Sequence, residues 1–156
     1  MYTLFVDLDG VLVDFERGVH EHTGKFVSEM SPRQMWPWLA RTPDFYALLD
    51  WTADGKELWS YASRHSPIIL TGLPLGNWAK PQKIAWCERE LGKHVPVVTC
   101  MSRDKAKVAR EYAADSVPVL VDDRESIRDS WESMGGTFIL HRTAAETIGA
   151  LRAIGL

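Results

Sequence analysis

Leu4-Phe5-Val6-Asp7-Leu8-Asp9-Gly10-Val11-Leu12-Val13-Asp14 places two carboxylates directly after a short apolar run. The run Thr3–Val6 reads as a buried strand. Where strand geometry persists beyond Val6, residues i and i+2 lie on one face, so Asp7 and Asp9 point at the same spot. Gly10 then lets the backbone turn away sharply. Adjacent carboxylates repel unless a cation or a proton relieves them, which makes the pair costly without a purpose. An ordinary Asp-Gly turn is the plain alternative, and the rest of the chain argues against it.

Four further apolar runs are candidate strands: Pro67–Leu70, Val95–Thr99, Pro118–Val121 and Thr137–Leu140. Most are apolar throughout rather than alternating, as parallel strands covered on both faces should be. Helix-like segments lie between them at Trp78–Leu91, Asp104–Ala114, Ser126–Met134 and Thr143–Ile154, the last opened by Thr143 with Glu146 three residues on. This alternation predicts a doubly wound, Rossmann-like α/β fold. One interval breaks the rhythm, because about sixty residues separate the first two strands, far more than one crossover needs. We read residues 15–65 as a small helical cap, with helical pieces near Phe15–Thr23, Pro32–Ala40 and Ala53–His65, inserted into a catalytic core of residues 1–14 and 66–156. Most of its aromatics are expected to build its core, since a small insert needs large side chains to bury enough area.

The composition is ordinary for a globular chain of 156 residues, with 46% apolar and 25% charged residues. A net charge of −3 without a basic tract argues against a nucleic-acid polymer as partner. Two cysteines, Cys87 and Cys100, form no disulfide framework and suggest a reducing compartment. No stretch approaches the ~20 apolar residues of a membrane span, and the chain enters its first strand at once. A cytoplasmic protein, free of membrane and either monomeric or homodimeric, is the expectation.

Parallel strands gather their polar carboxyl ends on one rim of the sheet, where ligands of such folds bind. Here those ends carry Asp7 and Asp9, Thr71-Gly72, Asp122-Asp123 and, past Cys100, the run Ser102-Arg103-Asp104-Lys105. Three or four carboxylates in one crevice make a hard-cation site, and Mg²⁺ favours carboxylates, waters and a substrate phosphate. A lysine and a hydroxyl suit the phosphate oxygens.

Asp7-Leu8-Asp9-Gly10-Val11, Thr71, a lysine near 105 and Val119-Leu120-Val121-Asp122-Asp123 resemble the four motifs of the haloacid dehalogenase superfamily. The resemblance implies a five-stranded parallel sheet ordered 5-4-1-2-3, an aspartate nucleophile and Mg²⁺. Asp7 would attack phosphorus to form an aspartyl-phosphate, and Asp9 would serve as general acid and then base. An aspartate at that second position is the phosphatase variant of the motif, in contrast to dehalogenases and transport ATPases. The side chains of Asp7 and Asp122 and the Asp9 carbonyl would hold Mg²⁺, with Asp123 beside them; the choice of direct ligand between Asp122 and Asp123 stays open. Thr71 would bond a phosphoryl oxygen. Lys105 would offset charge at the phosphate, with Lys107 as its rival.

Within the superfamily, Asp9-Gly10-Val11-Leu12-Val13-Asp14-Phe15, Phe45-Tyr46, Ile69-Leu70-Thr71-Gly72-Leu73-Pro74, Lys83-Ile84-Ala85-Trp86 and Ser102-Arg103-Asp104-Lys105 are similar to the 5'(3')-deoxyribonucleotidases. This implies a nucleoside monophosphate as the small-molecule substrate, with Phe15, Phe45 and Tyr46 at the base and Lys83 and Arg103 near the phosphate or the cap–core junction. Gly72 stands where those enzymes carry a second hydroxyl. A phosphatase acting on another small ester, such as a sugar phosphate, is the alternative, followed by a phosphate-binding module without catalysis.

Overall fold

The computed structural model describes residues 1–156. Its sheet has five parallel strands, β1 (Tyr2–Val6), β2 (Ile68–Gly72), β3 (Val97–Cys100), β4 (Val117–Asp122) and β5 (Thr137–Leu140), in the order β3-β2-β1-β4-β5. This is the expected 5-4-1-2-3 order read from the opposite edge. β1 lies in the middle, pairing Val6 with Ile69 on one side and Val121 on the other. The ends that carry Asp7, Thr71 and Asp122 are therefore neighbours.

Helices α1 (Phe15–Thr23), α2 (Pro32–Arg41) and α3 (Gly55–Ala62) lie between β1 and β2. They are followed by α4 (Ala79–Glu90), α5 (Lys105–Tyr112), α6 (Arg128–Ser133) and α7 (Ala144–Ala153). Alternate residues of each strand feed opposite faces of the sheet. Leu4, Val6, Ile69, Val119, Val121 and Ile139 join α4 and α7 in one apolar cluster. Phe5, Leu70, Val98, Leu120 and Phe138 join α5 and α6 in another. Trp131 of α6 is fully buried there, edge-on to Phe5 at 5.6 Å, with its Nε1–H donated to Pro118 O at 3.2 Å. The unbroken apolar strands thus have the helices on both faces that their composition demands.

Several boundaries differ from the sequence expectation for local reasons. Val95 N–H closes a turn onto Gly92 O, so β3 begins only at Val97, after Pro96. A 3₁₀ turn at Ser102–Asp104 delays α5 to Lys105, and another at Glu125–Ile127 delays α6 to Arg128.

The segment after β1 leaves and returns through a narrow stem. Asp14 N–H donates to Asp50 O at 2.9 Å, and Thr52 N–H donates to Leu12 O at 2.9 Å. Beyond the stem, Val19, Met35, Leu39, Phe45, Tyr46 and Leu49 continue the same apolar cluster that covers the sheet. α3 lies on the other side of the stem, where Tyr61 donates its hydroxyl to Leu156 O at 2.7 Å and Asp54 accepts from Ala144 N–H. α4 straps the aromatic segment to the sheet. Gln82 accepts from Tyr46 N–H at 2.8 Å, Trp86 donates to Leu49 O at 2.8 Å, and Arg89 donates to Ala47 O at 2.6 Å.

Candidate active site

The chain turns immediately after β1. Leu8 O accepts from the N–H groups of Val11, Leu12 and Val13, and Gly10 N–H returns to Val13 O. Gly10 takes φ +76°, a left-handed conformation open to glycine at little cost. It also leaves room for a neighbour, since a Cβ there would lie 2.1 Å from Asp123 Oδ2. The turn thus brings Asp7, Asp9 and Asp123 to one place, and β4 adds Asp122.

Two buried lysines divide these acids between them. Lys105, at the first turn of α5, lies 3.0 Å from Asp7 Oδ1 and 2.6 Å from Asp122 Oδ2. Asp122 also accepts from Arg124 N–H at 2.9 Å. Burial opposes the charge on Lys105, yet Asp7 and Asp122 hold its pKa above the ordinary value. Lys107 is exposed and stands outside the cluster. Lys83, from α4, donates to Asp9 Oδ2 at 2.9 Å, to Thr71 Oγ1 at 2.9 Å and to Gly72 O at 2.7 Å, which uses all three ammonium hydrogens. Its charge also lies 4.5 Å from the centre of the Tyr46 ring.

Oxygens of Asp7, Asp122 and Asp123 lie within 4.8 Å of one another. Burial, then Asp7 and Asp122, push Asp123 up to about 7. Asp122 is raised by burial and by Asp7, against the pull of Lys105. Asp9 is raised chiefly by burial, with Lys83 opposing. Asp9 Oδ1 is buried without a partner. Close buried carboxylates whose pKa values are raised by burial and mutual repulsion, all with hard oxygen donors, fit a small divalent cation.

A cavity of about 1170 Å³ opens over this cluster. Asp7, Asp9, Lys105 and Asp123 form its floor, and Ser102, Arg103, Arg124 and Arg33 add polar groups around it. The remaining wall is apolar and aromatic, with Phe15, Trp36, Tyr46 and Trp78 among its residues. These rings run as a ladder: Trp36 to Phe15 at 5.9 Å, Phe15 to Tyr46 stacked at 5.9 Å, and Tyr46 to Trp78 stacked at 5.5 Å.

Asp7, Asp9, Lys105, Asp122 and Asp123 are therefore brought together, with Gly72, Arg103, Phe15 and Tyr46 on the cavity. Thr71 and Lys83 are buried and do not line the cavity, and the Thr71 hydroxyl oxygen accepts from Lys83 Nζ–H. Phe45 is also fully buried, edge-on to Phe15, Tyr46 and His22 rather than facing the cavity. Trp36, Trp78, Arg33 and Arg124 line the cavity without having been singled out for it from the sequence, and Ser102, read there only as part of the polar rim, lines it too. Trp78 follows a Gly-Asn turn signal and Arg124 follows the paired aspartates; neither feature alone marks a site.

Comparison with known proteins shows the fold. A hydrolase of the haloacid dehalogenase-like family from Streptococcus pneumoniae superposes with a TM-score of 0.58 at 14% identity, over 94% of this chain and 89% of that one. A second hydrolase, from Streptococcus pneumoniae TIGR4, superposes with a TM-score of 0.60 at 12% identity, over 99% and 98% of the two chains. No protein-family model matches the chain, and no curated protein matches it.

Proposed function

We propose that this protein is a Mg²⁺-dependent phosphomonoesterase that works through an aspartyl-phosphate on Asp7 and acts on nucleoside monophosphates. The observation that carries the reading is the arrangement at the sheet rim: Asp7 and Asp9 on the floor of a cavity, Lys105 bonded to Asp7, and an aromatic wall opposite. In this reading the part of residues 15–65 that lies beyond the stem, with α1 and α2, acts as the cap over the site, while α3 packs against the core.

The carboxylates of Asp7 and Asp122 and the carbonyl of Asp9 would hold Mg²⁺, with Asp123 beside them. When bound, the ion neutralises phosphoryl charge and offsets repulsion among the acids. An oxygen of Asp7 attacks phosphorus, and the bond from phosphorus to the ester oxygen breaks. The Asp9 carboxyl gives its proton to the departing oxygen. Burial raises the pKa of Asp9, which favours the protonated form this step requires. Asp9 then takes a proton from water as that water attacks the aspartyl-phosphate, releasing inorganic phosphate and restoring Asp7. Lys105 holds Asp7 and stabilises the negative charge gathering around phosphorus. Lys83, backed by Thr71, holds the Asp9 side chain in place. Arg103 supplies positive charge at the cavity, and Phe15, Tyr46, Trp36 and Trp78 offer apolar surface to a flat base.

The chemistry is tested with Asp7→Asn on an aryl phosphate in Mg²⁺, where turnover should fall at least about 10³-fold. An unchanged rate would overturn the covalent mechanism. The substrate class is tested by phosphate release from a panel of nucleoside monophosphates and sugar phosphates. Higher kcat/KM for sugar phosphates would replace the nucleotidase reading with its alternative.

A further inference from the structure

Ser102 occupies space that a side chain at position 72 would need. A Cβ built on Gly72 would lie 2.1 Å from Ser102 Oγ, so the two positions can place only one group there. Both residues line the cavity that holds Asp7 and Asp9. Ser102 Oγ has one protein partner, the Arg124 Nη1–H, which donates to it at 3.1 Å. The hydroxyl hydrogen of Ser102 is therefore left to donate elsewhere. Thr71, the neighbouring hydroxyl, is fully buried and lies off the cavity surface. The hydroxyl on this wall of the cavity is accordingly delivered from the turn after β3, across the gap left at the end of β2.

We propose that Ser102 grips a phosphoryl oxygen of the substrate, with Arg124 turning its hydroxyl toward the cavity and Gly72 absent of side chain to admit it. This rests on the phosphomonoesterase reading. A hydroxyl donating to an anionic oxygen is a charge-assisted bond. Its loss in Ser102→Ala should lower kcat/KM for an aryl phosphate by about 10- to 100-fold. Inhibition by orthovanadate should weaken in parallel, because that oxyanion offers the same oxygens, while the Mg²⁺ concentration for half-activation stays unchanged.

Gly72→Ser alone should also impair activity, because two hydroxyls then contend for one place. The exchange Gly72→Ser with Ser102→Gly moves the hydroxyl back onto β2 and should recover most of the lost kcat/KM and vanadate affinity. Wild-type kcat/KM and vanadate inhibition in Ser102→Ala would overturn the assignment and leave the phosphatase reading standing. A failed exchange, no better than Ser102→Ala, would also overturn it. If the wild-type protein with Mg²⁺ hydrolyses no phosphate ester at all, the phosphatase reading falls and this inference with it.

Discussion

Asp7 and Asp9 are separated only by Leu8, yet they meet different cations. Asp7 pairs with Lys105 from α5, and Asp9 pairs with Lys83 from α4. The period-two rule placed both acids on one face, but it could not say which lysine would serve which acid. Lys83 lies on a helix whose apolar face would ordinarily bury a hydrophobe, and only the folded geometry turns its ammonium back to the β2 end. Asp9→Asn should reduce turnover by about 10²- to 10⁴-fold, because an amide cannot exchange the proton with the leaving oxygen. Its contribution to the metal is expected through the backbone carbonyl, so Mg²⁺ affinity, read by titration calorimetry, should stay nearly unchanged. A parallel loss of Mg²⁺ binding would show that the carboxylate itself is a ligand. Ser102 illustrates the same boundary: its serine and Gly72 are both visible in the chain, but their exclusion of one another is a contact across thirty residues.

Among the elements, the aromatic wall is assembled from separate pieces. Phe15 opens α1, Trp36 lies in α2, Trp78 precedes α4, and Tyr46 sits in the segment strapped to α4. The resemblance set Phe15, Phe45 and Tyr46 at the base; Phe45 is instead fully buried off the cavity, while Tyr46 is nearly buried and still touches it. Trp36 and Trp78 stay half-buried at the two ends of the ladder. Stacking of a base on such a ring contributes about 1–3 kcal/mol. Trp78→Ala should therefore raise KM for a nucleoside monophosphate roughly tenfold, with little change for a small aryl phosphate. Equal changes for both substrates would assign Trp78 to packing instead. Hydrophobic periodicity located these helices well, but it carries no sign of which ring of a cluster ends up at a surface.

At the scale of the whole molecule, the acidic cluster sets how stability depends on pH and metal. Asp9 and Asp122 are raised above the ordinary carboxylate value of 3.8, and Asp123 is raised to about 7. A carboxylate whose folded pKa is raised binds its proton more tightly when folded, so the unfolded state holds fewer protons in between. That contribution is present at low pH and is lost as pH rises through about 7 for Asp123. With chelator present, the acids' contribution to urea stability, read as wild type minus Asp123→Asn, should accordingly decline between about pH 5 and pH 8, with a slope of up to ~1.4 kcal/mol per pH unit for each such proton. Mg²⁺ should flatten that decline and, at about 100 times its Kd, add about 2.7 kcal/mol. A wild-type-minus-Asp123→Asn difference that rises over the same range in the metal-free protein would contradict the cluster as drawn. The sequence by itself determined the parallel α/β sheet, the strand ends that bear the acids and the helical insert after β1, because each follows from short-range periodicity and turn chemistry. Only the tertiary structure decided that Lys105 rather than Lys107 enters the acid cluster, that Thr71 is buried beside Lys83 while Ser102 lines the cavity, and which rings line its wall. Those outcomes depend on contacts between residues far apart in the chain, where packing and exclusion, not local pattern, select the neighbour.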